Sequence, residues 1–552
     1  MRCGVLFYRF IKKKGRIYMV TISIRKPNLQ WLFGGLGFHN SEATMLGLMT
    51  PEFLEERVLK SHFEISPTFT RVFAAFPDWT QEAMDRFADY YDLTFRKADT
   101  TIYALPARMP FHETHEEMIR FASDVADKFE YLVKKRGMRH IRYTCATNEL
   151  SVGNTYALLS ENMERFKEYQ TLLWREFRRR GLEIGLVASD GSGFQNFWQI
   201  DWCSKHMDEI TDTYCAHNYE ICGLSYDDRR FYDRVYTEVS RVVQVAKAQQ
   251  KRFLLGEFGV HDGTHFTSPV MCNDVFAGYG DPRGEAEAAL MSVEQAMALI
   301  NAGSLGGVFW SFCDYPDPML RDWSDTPEGR LRWETARFSG HGVDIRYNKN
   351  GCFRWDREEH DYSSRPFLYS IGLMVKYFKR GSRVLACGCT DESVLCCAVR
   401  NPDLSHSVCI VNLSDSEKDA AVSLDLTTGT AYRRYSFCVE HVPYHPCNDL
   451  QPYDEMLDIS SGKTSLRLMP HSMTLLTTDF VDRIPSVVTG IREENGKLQW
   501  DACEDEEHRY YRVYVDGRQV ASTAAESLTL GNERKGNLYE VFSVDKWGNC
   551  RK

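Results

Sequence analysis

The sequence predicts an α/β chain: a (β/α)8 TIM barrel followed by a β-sandwich and a small all-β domain. Three observations carry this. Eight strand-like runs alternate with helix-like segments between residue 30 and about residue 380. The helical period then stops, and short strand-like runs separated by turn residues take over, from "RVLACG" to "MTLLTT". Near the C-terminus, Asp516-Gly517 lies between two β-rich runs, the strongest short hairpin signal. At 552 residues the chain exceeds one compact unit. The expected division is a disordered extension over 1–20, a barrel over 21–380, a sandwich over 381–482 and a terminal module over 485–552.

The eight strand candidates are 31–39, 68–76, 100–109, 139–149, 182–191, 210–219, 251–259 and 305–312. Each is a mostly continuous apolar or β-branched run, as parallel strands buried on both faces require. Among the intervening helices, the clearest starts at Thr114, which with Glu117 forms a capping-box signature. Met118, Phe121, Ala122, Val125, Phe129 and Val133 then recur at helical spacing, and Lys134, Lys135 and Arg136 suit the C-terminal end. A doubly wound sheet is the alternative arrangement, but no glycine-rich dinucleotide or phosphate loop follows any strand.

Composition narrows the partners. A net charge of −10 argues against nucleic acid. No run reaches the ~18 uncharged apolar residues of a membrane helix. The N-terminal segment places its apolar run before its basic cluster, the reverse of a secretory signal. With an odd count of 17 cysteines, this predicts reduced thiols and a cytoplasmic location. Cys438, His441, His445 and Cys447 are zinc-ligand types at a spacing that matches no zinc module, and read as loop and strand residues. Aromatics, at 13%, suit either a cleft or a large core.

In a parallel barrel the C-terminal strand ends form the functional face. Those ends carry His39 and Asn40 (first), Arg71 (second), Asn148-Glu149 (fourth), His217 and Tyr219 (sixth), Glu257 (seventh) and Trp310 (eighth). Glu149 and Glu257 stand 108 residues apart, the length of three βα units, so they face one another across the mouth. Two opposed carboxyl groups are what a retaining glycosidase needs: one nucleophile and one proton donor to the leaving oxygen. An Asn beside the acid can bond a sugar 2-hydroxyl, a Tyr and an Arg can orient and ionise the nucleophile, and a Trp face can floor a sugar ring. Each companion also has a bland reading: Arg71 as an internal ion pair, His217 as a satisfied core residue, Trp310 as core.

The set Arg71, "NE" at 148–149, "HNY" at 217–219, "GEFG" at 256–259 and "FW" at 309–310 resembles clan A of the glycoside hydrolases. The His-x-Tyr is most similar to family 5. The segments "RPFLYSIGLMVKYF" and "RLMPHSMTLLTT" look more like families 39 and 30, in which a β-sandwich packs on the barrel, and 485–552 resembles a fibronectin type III module. Leu150 stands where family 5 usually has Pro, and His112 is a loose match to that family's third-strand His. The resemblance implies Glu149 as acid/base, Glu257 as nucleophile and no metal or organic cofactor. It implies cleavage of β-glycosidic bonds in an oligosaccharide or polysaccharide, with a lean toward exo-action on a short chain. Phe76, Trp79, Trp198, Trp202 and Tyr315 are candidate sugar platforms, and the long loop 260–282 a candidate wall. A non-catalytic carbohydrate-binding protein on the same scaffold and a metal-dependent barrel enzyme are the competing readings. The terminal module holds no acid/nucleophile pair and is expected to be dispensable for turnover.

Overall fold

The computed structural model describes residues 19–76, 79–106, 114–149, 163–192, 197–221, 230–261, 282–319, 344–348, 351–357, 359–424, 431–459 and 461–550. Its first strand, β1 (Val20–Phe33), does not belong to the barrel. The barrel is closed and parallel and consists of β2 (Leu36–His39), β3 (Phe69–Phe73), β4 (Thr101–Leu105), β5 (Ile141–Thr144), β6 (Gly185–Ser192), β7 (Thr213–Ile221), β8 (Arg252–His261) and β9 (Gly306–Phe309). All eight expected strands form, and β9 closes on β2 with Leu36 opposite Gly307. The Thr114–Glu117 capping box is present in full at the start of the helix His115–Glu130.

The expected barrel boundary at residue 21 needs correction. β1 lies between two strands of the sandwich, antiparallel to β12 and parallel to β15, described below. Val20, Ile22 and Ile24 alternate into the sandwich core, a period-two pattern that only a sheet face rewards. Gly35 makes the break between β1 and β2. Its φ is +101°, and a Cβ there would meet Thr68 Oγ1 at 2.5 Å.

After the barrel, β10 (Tyr315–Met319) and β11 (Asp344–Asn348) pair as an antiparallel ribbon. β12 (Ser382–Cys389), β13 (Val394–Arg400), β14 (His406–Asn412), β15 (Lys418–Leu424), β16 (Ala431–Cys438), β17 (Glu455–Asp458), β18 (Lys463–Leu468) and β19 (Ser472–Thr477) join β1 in a nine-stranded sheet. The sheet wraps around its own core. Along β13, Val394, Cys396 and Ala398 face that core, whereas Leu395, Cys397 and Val399 face the barrel. Burial on both faces explains why "VLCCAV" reads as an unbroken apolar run. It also explains the helix Pro282–Ala302, which is buried nearly all round: Met297 Sδ lies 3.9 Å from Cys409 Sγ.

The terminal module has two three-stranded sheets, β20 (Arg492–Glu494), β21 (Lys497–Gln499) and β24 (Ser527–Thr529) in one, β22 (His508–Val515), β23 (Arg518–Thr523) and β25 (Tyr539–Asp545) in the other, around its own small core. The β22–β23 turn holds Asp516 and Gly517 at φ +49° and +78°, the primed-turn geometry that Asp-Gly favours. The module is bound to the barrel through charge. Buried Lys60 donates to Glu64 at 2.6 Å and pairs with Asp449 at 2.9 Å. The module's Tyr510 hydroxyl donates to Glu64 (2.9 Å), and its Arg512 donates to Asp449 (2.8 Å).

Candidate active site

Two bulges aim the site. Between β6 and β7, Ser189 pairs with Cys215 and Gly191 with Ala216, so Asp190 is an extra residue outside the ladder. Between β7 and β8, Leu255 pairs with Ala216 and Glu257 with His217, leaving Gly256 extra. A Cβ on Gly256 would sit 2.4 Å from Cys215 Sγ, so only glycine allows the bulge that presents Glu257. Glu149 and Asp190 hold φ at +49° and +55°, left-handed conformations that cost non-glycine residues energy and gather at functional sites.

The strand-end side chains converge on Glu257, which is 3% exposed. Its Oε1 accepts from Arg71 Nη1 and its Oε2 from the Tyr219 hydroxyl. Arg71 Nη2 donates to Asn148 Oδ1 (2.6 Å) and to Asp190 Oδ2 (2.9 Å). His217 stands between the acids, with Nδ1 3.1 Å from Glu149 Oε1 and 3.5 Å from Glu257 Oε2 and Nε2 3.0 Å from Asp190 Oδ1. Oxygens of Glu149 and Glu257 lie within 4.8 Å of each other. His39 Nδ1 lies 3.5 Å from Arg71 Nη1, and its ring packs on Trp310 with centroids 4.0 Å apart.

The electrostatics follow from burial countered by charge. Burial alone would strip the proton from His217, but the carboxylates of Glu257 and Asp190 outweigh it and hold the imidazole's pKa up at about 10. His217 is therefore a cation with both nitrogens donating. Asp190 is fully buried, yet Arg71 and His217 hold it well below the ordinary carboxylate range. Burial, with Glu149 adding to it, leaves Glu257 above the ordinary carboxylate range, although Arg71, His217 and the Tyr219 hydroxyl pull it back toward the ionised form. Arg71, flanked by Asp190 and Glu257, stays charged despite complete burial.

Two triads of ligand-type residues come together, Glu149–His217–Glu257 and Asp190–Cys215–His217. A metal at either triad would have to displace the proton that His217 holds between its carboxylates. Arg71 and His217 tie the cluster together through their contacts with Glu149, Asp190 and Glu257.

Sequence reasoning placed Arg71, Asn148, Glu149, His217, Tyr219, Glu257, His39 and Trp310 at one mouth, and the structure brings them together. Asn40 is the exception. Its amide faces Glu42, its carbonyl accepts from Thr70 Oγ1 at 2.7 Å, and it lies within a buried network with His62 and Tyr90. It packs behind the first strand because the chain turns away immediately after His39. Among the aromatic platforms, Phe76 and Trp79 are core residues packed on each other at 5.5 Å, and Tyr315 is buried against Trp310. Trp198 remains exposed, and Trp202 stacks on His206 at 4.5 Å. His112, Leu150 and residues 262–281 of the candidate wall lie outside the described residues.

Asp190 was missed. It accepts from Arg71, His217, the Tyr103 hydroxyl (2.9 Å) and the Cys215 thiol (3.2 Å). The available signal was an acid directly before glycine at the end of the fifth strand, "ASDG", the same kind of mark as Glu149 and Glu257.

No family model matches this chain, and no curated protein matches it either. Solved structures do. A GH51 arabinofuranosidase from Xanthomonas axonopodis pv. citri superposes with a TM-score of 0.55 at 12% identity, covering 83% of this chain and 99% of that one. The catalytic domain of GH30 xylanase C from Talaromyces cellulolyticus gives 0.54 at 11%, covering 83% and 99%. An endo-β1,6-glucanase gives 0.54 at 13%, covering 84% and 94%. The chain thus has the fold of these clan A glycoside hydrolases, barrel plus β-domain. No helix among the described residues is long and apolar enough to cross a membrane.

Proposed function

We propose that this chain is a retaining β-glycoside hydrolase, with Glu257 as nucleophile and Glu149 as acid/base. The observation that carries the proposal is the charge balance around two close carboxyl groups. Arg71 and His217 supply two cations beside the buried acids Asp190 and Glu257. Glu149 is then the carboxyl left over once the two cations are matched by Asp190 and Glu257, and it takes the acid/base role. Oxygens within 4.8 Å suit the ~5–5.5 Å carboxyl separation of retention rather than the wider gap of inversion.

The steps follow from these positions. Glu257, oriented by Arg71 and Tyr219, attacks the anomeric carbon while Glu149 gives its proton to the leaving oxygen. The glycosyl-enzyme ester neutralises Glu257, and Glu149, now a carboxylate, takes a proton from the attacking water. Asn148, fixed by Arg71, stands beside the acid where a sugar 2-hydroxyl would lie, and Trp310 floors the pocket. The substrate class is a β-linked oligosaccharide, and the terminal module is read as a fibronectin type III-like accessory. The rival reading, a binding protein with a dead site, would require a missing carboxylate, whereas both are in place.

Chemical rescue tests the roles on whichever aryl β-glycoside the wild type cleaves best. Glu257→Ala with azide should give an α-glycosyl azide, because azide attacks the substrate directly. Glu149→Ala should cleave substrates with good leaving groups, stall at deglycosylation, and give a β-glycosyl azide. Rates without rescue should fall about 10²–10⁴-fold for loss of the acid/base. Azides of reversed configuration would swap the roles, and wild-type rates in both variants would place the site elsewhere.

A further inference from the structure

A cavity of about 750 Å³ lies at the junction of the barrel, the sandwich and the terminal module, and none of the strand-end residues lines it. Its walls come from all three parts: Lys376 from the helix Ile371–Tyr377, Arg433 from β16, Tyr453 from the loop before β17, Arg512 and Tyr514 from β22, and Trp547 beyond β25. The volume is that of a small-molecule site.

The charges in it are unevenly satisfied. Arg433 is 4% exposed; it donates to Trp547 O and Asn549 Oδ1, both at 2.7 Å, and lies over the rings of Tyr453 and Phe480. Arg512 is held by Asp449. Glu64, a carboxylate of the lining, is consumed by Lys60, Tyr510 and the Leu450 amide. Lys376 differs. Among the described residues its ammonium has no hydrogen bond and no ion pair, only the Tyr377 ring 5.6 Å away, although Lys379, one turn on, pairs with Asp403 and Asp479. Burial lowers the Lys376 amine to about 8, against the pull of Glu64 and Asp479 and with the help of Lys379 and Lys60. Four cationic side chains line the cavity, against the carboxylates of Glu64 and Asp482.

We propose that this cavity binds an anionic sugar, its acidic group paired with Lys376 and its ring lying against Tyr453 and Tyr514. A partly buried amine with no ion pair, in a cavity lined by three further cations, calls for an anion. Tyrosine rings beside polar side chains in the lining suit a polyol better than an apolar ligand. The acidic group is a carboxylate or a phosphate, as in a uronic acid or a sugar phosphate. The proposal is independent of the chemistry assigned to the barrel mouth.

Calorimetry on the full chain at pH 7 tests it with glucuronate, glucose 6-phosphate, inorganic phosphate and glucose. At least one of the two anionic sugars should bind below about 1 mM, and glucose should not. Lys376→Met should weaken binding at least about tenfold, as loss of a charged partner does; Tyr453→Ala, at an exposed position, should weaken it less. Glu257→Ala should leave it unchanged. At pH 8, binding to the wild type should take up protons, read from the dependence of the observed heat on buffer ionisation enthalpy, because the anion recharges the amine; this holds even if Lys376→Met does not fold. Which sugar binds distinguishes carboxylate from phosphate. The proposal is overturned if neither anionic sugar binds, if glucose binds equally, if free phosphate matches glucose 6-phosphate, or if binding follows Glu257 rather than Lys376.

Discussion

Asp190→Asn is the sharpest probe of how the site holds its charge. The substitution keeps the shape of a side chain that accepts from four donors at 2.9–3.2 Å, but replaces one acceptor oxygen with an N–H. Four donors cannot all face an amide; the Tyr103 hydroxyl can turn to accept, and His217 can yield by releasing its Nε2 proton and accepting instead. The loss of charge acts in the same direction. Opposite charges with centres ~4 Å apart interact by about 4 kcal/mol at an effective dielectric near 20, or roughly 3 pKa units as an upper bound. Shifts from such neighbours run about 1–3 units. The His217 imidazole, at about 10 in the parent chain, should therefore titrate between ~7 and ~9 in the variant. Histidine-labelled nitrogen NMR reads this directly. In parallel, turnover of an aryl β-glycoside should fall about 10²-fold as Arg71 and His217 lose their common anchor, and fall further between pH 7 and 9. A purely structural role for Asp190 would lower stability without moving the imidazole. A His217 resonance that stays cationic to pH 10, or turnover equal to the parent's, would refute the reasoning.

Other outcomes follow from buried charge elsewhere. Burial lifts the carboxyl of Glu42 from 4.5 to about 7, so the folded state holds its proton more tightly than the unfolded state. Stability from this group is full below pH 4.5 and is lost as pH rises through 7, a swing of about 3 kcal/mol. His62, lowered by burial to about 3, trends oppositely below pH 6.5. Urea unfolding of Glu42→Gln against the parent isolates the Glu42 part: the variant should gain about 3 kcal/mol relative to the parent from pH 4.5 to 8, and parallel pH curves would refute it. Lys60→Met strands the carboxylates of Glu64 and Asp449 and should cost about 3–5 kcal/mol in urea unfolding; a near-neutral result would mean those carboxylates find other partners. Ending the chain after Asp482 removes Arg512 and Tyr510 from the same network, yet none of the strand-end residues touches the module. Thermal unfolding should drop by several degrees, on the order of 1–3 kcal/mol, while kcat/KM on a small substrate stays within a few-fold of the parent.

The chain by itself determined the barrel and most of its mouth. Eight apolar runs at regular intervals require strands buried on both faces, and polar residues at the ends of such runs have only the mouth to occupy. That logic reaches Arg71, Asn148, Glu149, His217, Tyr219, Glu257 and Trp310 without coordinates. It misplaced Asn40, because one residue beyond a strand end the chain can turn behind the wall as readily as into the cleft. It assigned Phe76 and Trp79 to the cleft, although an aromatic after a strand buries the same area in the core. Tertiary structure alone decided three things. Bulges at Asp190 and Gly256 rotate two acids inward, and a bulge is a property of pairing between strands rather than of either strand. The sandwich recruits β1 from the other end of the chain, through hydrogen bonds across more than 350 residues of sequence. The protonation of His217 depends on the carboxylates of Asp190 and Glu257, from two other strands, whose distances no local pattern encodes.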